Sequence, residues 1–518
     1  MSKIQVMIPL LILTLLIVGS FKLAETNATP SSANQYIDVQ LLGVNDFHGQ
    51  LDKNDTLQGT QVGGAEYLAA YLKKYRALNE NTLLVHAGDM IGGSPLLSSH
   101  FQDEPTIELL NLLKFDVGTP GNHELDEGVK EMKRLIYGGF HEKTGMFPGS
   151  VTTYISSNMI DKKTNTHLLP PYVIKELNGI KMGFIGVLTT ETKQIVLPEN
   201  RKEIEIIDEV QAINQTVGLL KEKGVRSIVV LAHVAVTSDS NGMNAEGVLA
   251  EMATKIDHEV DVILGAHNHR YANTVVDGKL IVQSYSNGKA FSQILLSIDQ
   301  TTKDIVKKES NIVLTSHDSI EPDKETLDLL QIYRDKMKKF SHEMVAEIPE
   351  GFSRKKNDKG ESPLAEIIAE SSRNAMDTQI AFMHHGGIRA SLSKGPITKE
   401  DLYTVLPFDH RLSKLTMTGD QIKRVLEQQW MKDKDNILQA VGLTYLWDPA
   451  APIGSRVVEV KDREGRVLEP NKEYHVAVSD YLASGGDGFT AFKQGRVVES
   501  GPKVVTAFME YIQQEYSY

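Results

Sequence analysis

Cysteine is absent from all 518 residues. Disulfides, thiolate zinc sites, a cysteine nucleophile and a lipid-modified cysteine are excluded with it. Any metal must sit on His, Asp, Glu or Asn. A membrane-length apolar run is missing as well. Val6 to Val18 is 13 residues, broken by Pro9 and Thr14, and a spanning helix needs about 20. With Lys3 before it and small residues after it (Thr26-Asn27-Ala28, Ser31-Ser32-Ala33), the run fits a signal peptide over residues 1–33. The body is then secreted or extracytoplasmic, at the cell surface or in the periplasm. Membrane contact is expected only if that segment stays uncleaved. Basic excess is lacking too: 55 Lys and Arg face 68 Asp and Glu, a formal net charge of −13. Such a chain is a poor match to nucleic-acid polymer or anionic membrane. A small anionic substrate needs a locally positive site.

What is present is a regular alternation of apolar runs and helical segments. Ile37–Val44, Leu83–Ala87, Phe115–Val117, Ile180–Leu188, Arg226–Leu231 and Val260–Leu264 read as strands. Helices are expected from Gly64 to about Leu78, over Ile107–Leu113, and at about 208–223 and 245–256. Residues 137–150 and 161–170 are polar, Gly- and Pro-punctuated, and read as surface excursions. The alternation predicts α/β architecture. From Glu321 to about Val345 the pattern is charged and helical, which suits a linker helix. A second α/β unit follows.

The chemistry-bearing residues follow the carboxyl ends of these strands, where open α/β sheets place ligands. Asp46-x-His48 follows the first and Gly88-Asp89 the second. Gly121-Asn122-His123-Glu124-Leu125-Asp126 follows the third. His233 follows Arg226–Leu231, and His267-x-His269 follows Val260–Leu264. Read as extended chain, each residue two apart from its partner projects from the same face. Taken singly, each reads as structural: Asn122, for instance, suits a helix N-cap. Together Asp46, His48, Asp89, Asn122, His233, His267 and His269 are too many N/O donors for one tetrahedral zinc. They suit two divalent ions sharing a carboxylate, with Asp89 as the bridge. Two such ions activate a water and clamp a displacement at phosphorus. They also provide the positive field. His123 is left over for chemistry, with Asp126 placed to fix its tautomer.

This order of motifs resembles the calcineurin-like metallophosphoesterases. Gly386-Gly387-Ile388-Arg389, Leu406-Pro407-Phe408, Thr418-Gly419-Asp420-Gln421, Gly442-Leu443-Thr444-Tyr445 and Tyr481 to Gly488 resemble the C-terminal domain of the secreted 5′-nucleotidase family. The resemblance implies an αββα-sandwich domain over 36–316, a linker helix over 317–345 and a nucleotide-binding α/β domain over 346–518. It implies one ion on Asp46, His48, Asp89 and His269, and another on Asp89, Asn122, His233 and His267. Zn, Mn and Co all suit these donors. It implies that His123, supported by Asp126, stabilises the transition state. Arg389, Phe408, Tyr481 and Asp487 are then the nucleotide contacts, with Phe408 and Tyr481 sandwiching the base. The activity implied is release of phosphate from nucleoside 5′-monophosphates by metal-bound hydroxide.

The chain departs from the family at His384 and His385, near His410, and in the stretch Gly360 to Glu366, where a substrate-binding arginine is expected. Two sister activities share the metal chemistry: 2′,3′-cyclic-nucleotide phosphodiesterase with 3′-nucleotidase, and UDP-sugar hydrolysis. A catalytically inactive surface-binding module is the reading from a different class.

Overall fold

The computed structural model describes residues 35–516 apart from 53, 197–198, 342, 407, 409 and 431–435. The expected signal segment and Pro407 lie outside the described residues. Among the described residues no helix is long and apolar enough to cross a membrane.

The first domain is built on two six-stranded mixed sheets. One runs Ile305–Leu314, Ala290–Asp299, Tyr36–Val44, Thr82–His86, Val117–Gly118, Thr153–Tyr154, and its last four strands are parallel. The other runs Tyr172–Leu177, Ile180–Leu188, Ser227–His233, Val260–Leu264, Lys279–Ser284, Tyr271–Val276, with its four central strands parallel. The alternation of side chains along a strand decides the layering. Val39 and Leu41 face a core shared with Phe184, Val229, Leu231 and Val262 of the second sheet. Leu42 and Val44 face the opposite way, into a core with Leu68, Leu72, Ile107 and Leu110. Those residues belong to helices Ala65–Arg76 and Glu104–Leu113. On the far side, Ile213, Val217 and Leu220 of Glu209–Glu222 cover Ile185, Val187 and Val230. The result is two sheets face to face between helical layers.

The helix expected as a linker spans Lys324–Ser341. Its Leu330, Tyr333 and Met337 are part of the first domain's outer core. It is therefore a packed element rather than a spacer. The two surface excursions also carry structure. Gly139–His141 pairs with Gly145–Phe147, and Thr166–His167 with Met159–Asp161. Phe147 and Leu169 anchor them by burial.

The second domain centres on a five-stranded sheet: Leu438–Val441, Ile380–His384, Glu473–Ser479, Arg411–Thr418, Arg496–Lys503. Helices Pro363–Ala375 and Val504–Glu515 cover one face and Gly419–Glu427 the other. Two of the motifs are local folding devices. Thr418 and Gln421 form a reciprocal capping box that starts helix Gly419–Glu427. Gly442 has φ +80° and lies so close to the Gln379 carbonyl that a Cβ would be 1.9 Å from it.

Candidate metal centre and aromatic slot

Five strand ends bring the candidate ligands to one edge of the stacked sheets. Asp46 and His48 leave Tyr36–Val44, Asp89 leaves Thr82–His86, and Asn122 and His123 follow Val117–Gly118. His233 ends Ser227–His233, and His267 and His269 follow Val260–Leu264. Backbone hydrogen bonds lock the first two loops together, from Asp46 N to Gly88 O at 3.1 Å and from His48 N to Asp89 O at 3.0 Å. The third docks through His123 N to Asp89 Oδ1, 2.9 Å, and the fifth through His267 N to Asp46 Oδ1, 3.0 Å.

The backbone corrects the extended-chain picture. Asp46, His48, Asp89, His267 and His269 all have φ between 50° and 83°. That left-handed region is uncommon for residues with a Cβ, and its clustering at ligands is typical of strain held at a functional site. The side chains therefore do not simply alternate. His269 groups with Asp46 and His48, whereas His267 groups with Asp89 and His233.

The ring tautomers are set from behind. His48 Nδ1 lies 2.9 Å from Gly92 O, and His233 Nδ1 lies 2.9 Å from Ala87 O. A carbonyl only accepts, so both Nδ1 atoms carry a proton and both Nε2 atoms face the cluster. His48 Nε2 is 3.0 Å from His269 Nε2, which is 3.7 Å from Asp46 Oδ1. His233 Nε2 is 3.1 Å from both Asp89 Oδ2 and Asn122 Oδ1, and Asp89 Oδ2 is 3.8 Å from His48 Nε2. Donors bonded to one ion at about 2.0–2.2 Å stand roughly 3–3.6 Å from each other. The donor types, the inward direction of the Nε2 atoms and their spacing thus fit divalent cations, with Asp89 between the two groups.

Burial and charge oppose each other throughout the cluster. Burial and the neighbouring Asp89 push the Asp46 carboxyl up to about 7, against the pull of His233. Burial and the His123 charge push His48 down to about 3. Burial also acts against a charged His123, but Asp126, Asp89 and Glu124 outweigh it and carry the ring up to about 10. His123 Nδ1 and Asp126 Oδ2 are 2.8 Å apart.

Several residues here were not singled out from sequence. Glu124 is buried and accepts backbone N–H groups from Asp89, Met90 and Gly121 at 3.0, 2.9 and 2.5 Å. Asn45 donates to Asp46 Oδ2 at 2.7 Å while its own carbonyl accepts from Ser284 N and Oγ. Glu191 Oε2 lies 3.1 Å from His267 Nε2. Asn122 occupies the position before a short 3₁₀ turn, yet makes no side-chain cap there. Its amide oxygen faces His233 instead.

The second-domain candidates also gather. Tyr481 OH donates to Asp487 Oδ1 at 2.7 Å, and the Arg389 guanidinium lies 5.8 Å from the Phe408 ring centre. The expected sandwich differs in one respect. His410 stacks on Phe408, 5.6 Å at 28°, and on Tyr481, 5.3 Å at 29°. Beside Arg389, a cavity of about 300 Å³ is lined by Arg354, Lys355, Lys356 and His385. Arg354 Nη1 donates to the Arg389 carbonyl at 3.2 Å. It is a nearby arginine from outside the stretch 360–366 in which one was expected.

Comparison with known proteins adds the following. The family model described as "Calcineurin-like phosphoesterase" matches residues 39–271, and "5'-nucleotidase, C-terminal domain" matches residues 340–494. "Endonuclease YhcR" of Bacillus subtilis is 38% identical over 93% of this chain, which spans 40% of that relative's length. "Cell wall protein Lmo0130" of Listeria monocytogenes is 33% identical over 95% of this chain and 69% of its own. The crystal structure of a 5′-nucleotidase precursor from Thermus thermophilus superposes with a TM-score of 0.62 at 26% identity. It covers 93% of this chain and 97% of the Thermus chain.

Proposed function

We propose a substrate and a division of labour from the premise that this chain belongs to the 5′-nucleotidase family of calcineurin-like phosphoesterases and is a hydrolase of phosphoric monoesters. Its substrate is a nucleoside 5′-monophosphate, hydrolysed outside the cytoplasm. The Listeria relative, named a cell wall protein, supports that location. Residues 36–316 carry the metal chemistry and residues 346–518 the nucleoside recognition.

Asp46, His48, Asp89 and His269 would hold one divalent ion, and Asp89, Asn122, His233 and His267 the other. When bound, such a pair supplies positive charge at the phosphoryl oxygens and makes water a nucleophile near neutral pH. His123 commits Nδ1 to Asp126, which leaves Nε2 for the substrate. From there it donates to a phosphoryl oxygen as charge builds and protonates the departing O5′. Asp126 is a positioning residue. Phe408 and Tyr481 offer flat apolar faces to a base, Asp487 accepts from the ribose hydroxyls, and Arg389 meets the phosphate.

One observation carries this reading. The loop with His123 and Asp126 continues into Glu127, which pairs with Arg411, the neighbour of His410 in the aromatic cluster. The loop that carries His123 and Asp126 is thus tied by one ion pair to the strand that begins beside His410, which supports the two sets acting on one ligand. The basic cavity at Arg354, Lys355 and Lys356 favours a second reading, in which a longer phosphodiester is cleaved. The name of the Bacillus relative, an endonuclease, is in line with it. A panel of AMP, 3′-AMP, 2′,3′-cyclic AMP, UDP-glucose and bis-p-nitrophenyl phosphate, run with Mn²⁺, Zn²⁺, Co²⁺ or Mg²⁺, tests both. AMP should have the highest kcat/KM. A higher value for a diester would move the chain to the second reading, and no turnover with any ion would overturn both.

A further inference from the structure

The slot expected to take a base is already filled by this chain's own ring. His410 lies nearly parallel to Phe408 and to Tyr481, with ring centres 5.6 and 5.3 Å away. Its ring therefore contacts both of the aromatic side chains that a stacked base would contact. The space beside it, lined by His384, Leu406, Phe408 and His410, is about 10 Å³, no more than a single water needs. A base cannot share the slot with the imidazole.

We propose that His410 is a displaceable occupant of the nucleoside slot, and that a nucleobase binds by taking its place between Phe408 and Tyr481. The inference rests on the nucleotide reading above. Two observations support displacement over a fixed wall. His410 Nδ1 is held by Asp480 Oδ1 at 3.1 Å, and that carboxylate is half exposed, so water replaces the bond when the ring swings out. Beneath the ring, His384 is buried, and its Nδ1 has no hydrogen-bond partner among the described residues. A base carries nitrogen and oxygen atoms around its edge and can satisfy that atom. The residues around the slot therefore include one with an unmet polar atom and one whose ring is held by an exposed hydrogen bond.

Self-occupancy lowers apparent affinity by the fraction of molecules whose slot is open. Removing the ring should raise affinity, and replacing it with a stronger stacker should lower it. The test is calorimetric titration of adenosine, which carries no phosphate to hydrolyse, into the metal-loaded full chain. His410→Ala should bind adenosine about five- to tenfold more tightly than the wild type, the size of an aromatic stacking contact. His410→Phe should bind more weakly than wild type, and Phe408→Ala more weakly too, because it removes a wall. Weaker binding by His410→Ala, in step with Phe408→Ala, would make His410 a wall and overturn the inference alone. Equal binding by wild type and His410→Ala would overturn it as well. Failure of both proteins to bind adenosine would overturn the inference and the nucleotide reading together.

Discussion

Glu124 holds two loops of the candidate metal site together and lies outside the proposed ligand set, and its replacement by glutamine isolates that role. One carboxylate oxygen accepts from Asp89 N and Gly121 N, the other from Met90 N. A glutamine keeps one oxygen. Its best orientation retains the Asp89 and Gly121 bonds and turns its NH₂ towards Met90 N–H, donor against donor. A hydrogen bond to a charged group is worth about 1.5–3 kcal/mol, and an orphaned buried N–H costs about 1–3 kcal/mol. These overlap, so a total of roughly 2–4 kcal/mol is expected. Part of it falls on global stability and part on the register of Asp89, the proposed bridge between the two ion positions. Loss of an outer partner typically weakens metal binding about 10- to 100-fold. The assay is titration of metal-free protein with Mn²⁺ or Co²⁺, alongside a thermal melt and turnover of AMP at saturating metal. Glu124→Gln should show weaker metal binding, a lower melting temperature, and kcat within a few-fold of wild type once metal is saturating. Unchanged metal affinity would refute the reasoning. An activity loss that excess metal does not restore would place Glu124 in the chemical step instead.

Three further outcomes are expected. His123→Asn should keep its metal, measured by elemental analysis, and lose about 10²–10⁴-fold in kcat, the usual scale for a lost general acid. Gly121→Ala should lose metal, because its Cβ would stand 2.1 Å from Asp89 Oδ1 and 2.6 Å from His233 Cε1. Asp261 lies far from this chemistry. Burial pushes its carboxyl up to about 7, against the pull of Lys308. A raised carboxyl favours folding in its protonated form. That contribution is complete below about pH 4 and is lost as pH rises through about 7, in total a few kcal/mol. Asp261→Asn should therefore raise the melting temperature more at pH 8 than at pH 4. An equal change at both values would show that Asp261 is not held protonated.

Residue type and order made the metal site legible in the sequence; backbone shape did not. Asp46, His48, Asp89, Asn122, His233, His267 and His269 each stand after a buried apolar run, and parallel strands bring such positions to one edge whatever their separation along the chain. The strands themselves were legible for the same reason, since Ile180–Leu188 and Val260–Leu264 keep their expected bounds. Spacing alone did not give the pairing of ligands, which came from the family resemblance and agrees with the observed groups. An i, i+2 rule holds in a strand and fails where φ turns positive, which is how His267 and His269 come to join different groups. Glu124 and Asn45 were given no role at the site because their partners are backbone groups and neighbouring side chains, and no spacing rule marks such contacts.

The second domain shows the complementary limit. Its motifs identify positions, but what fills the space between them depends on side chains the motifs do not include. Thr418 and Gln421 prove to be a helix cap, and Gly442 a close backbone approach, so those parts of the pattern specify the fold. His384, His385 and His410, where the chain departs from its family, line the slot or the basic cavity. The departures are therefore concentrated where a ligand's shape would be read, while the metal-ligand set is intact. Under the proposed function, such a distribution would alter which nucleotide is held, and how tightly, more than how phosphate is released. Loss of the aromatic stack should likewise leave metal content untouched, because the two sets of residues are linked through Arg411 and Glu127, a partly exposed ion pair on the order of 1 kcal/mol or less. A coupling that weak lets recognition change without disturbing the ligands on the other side.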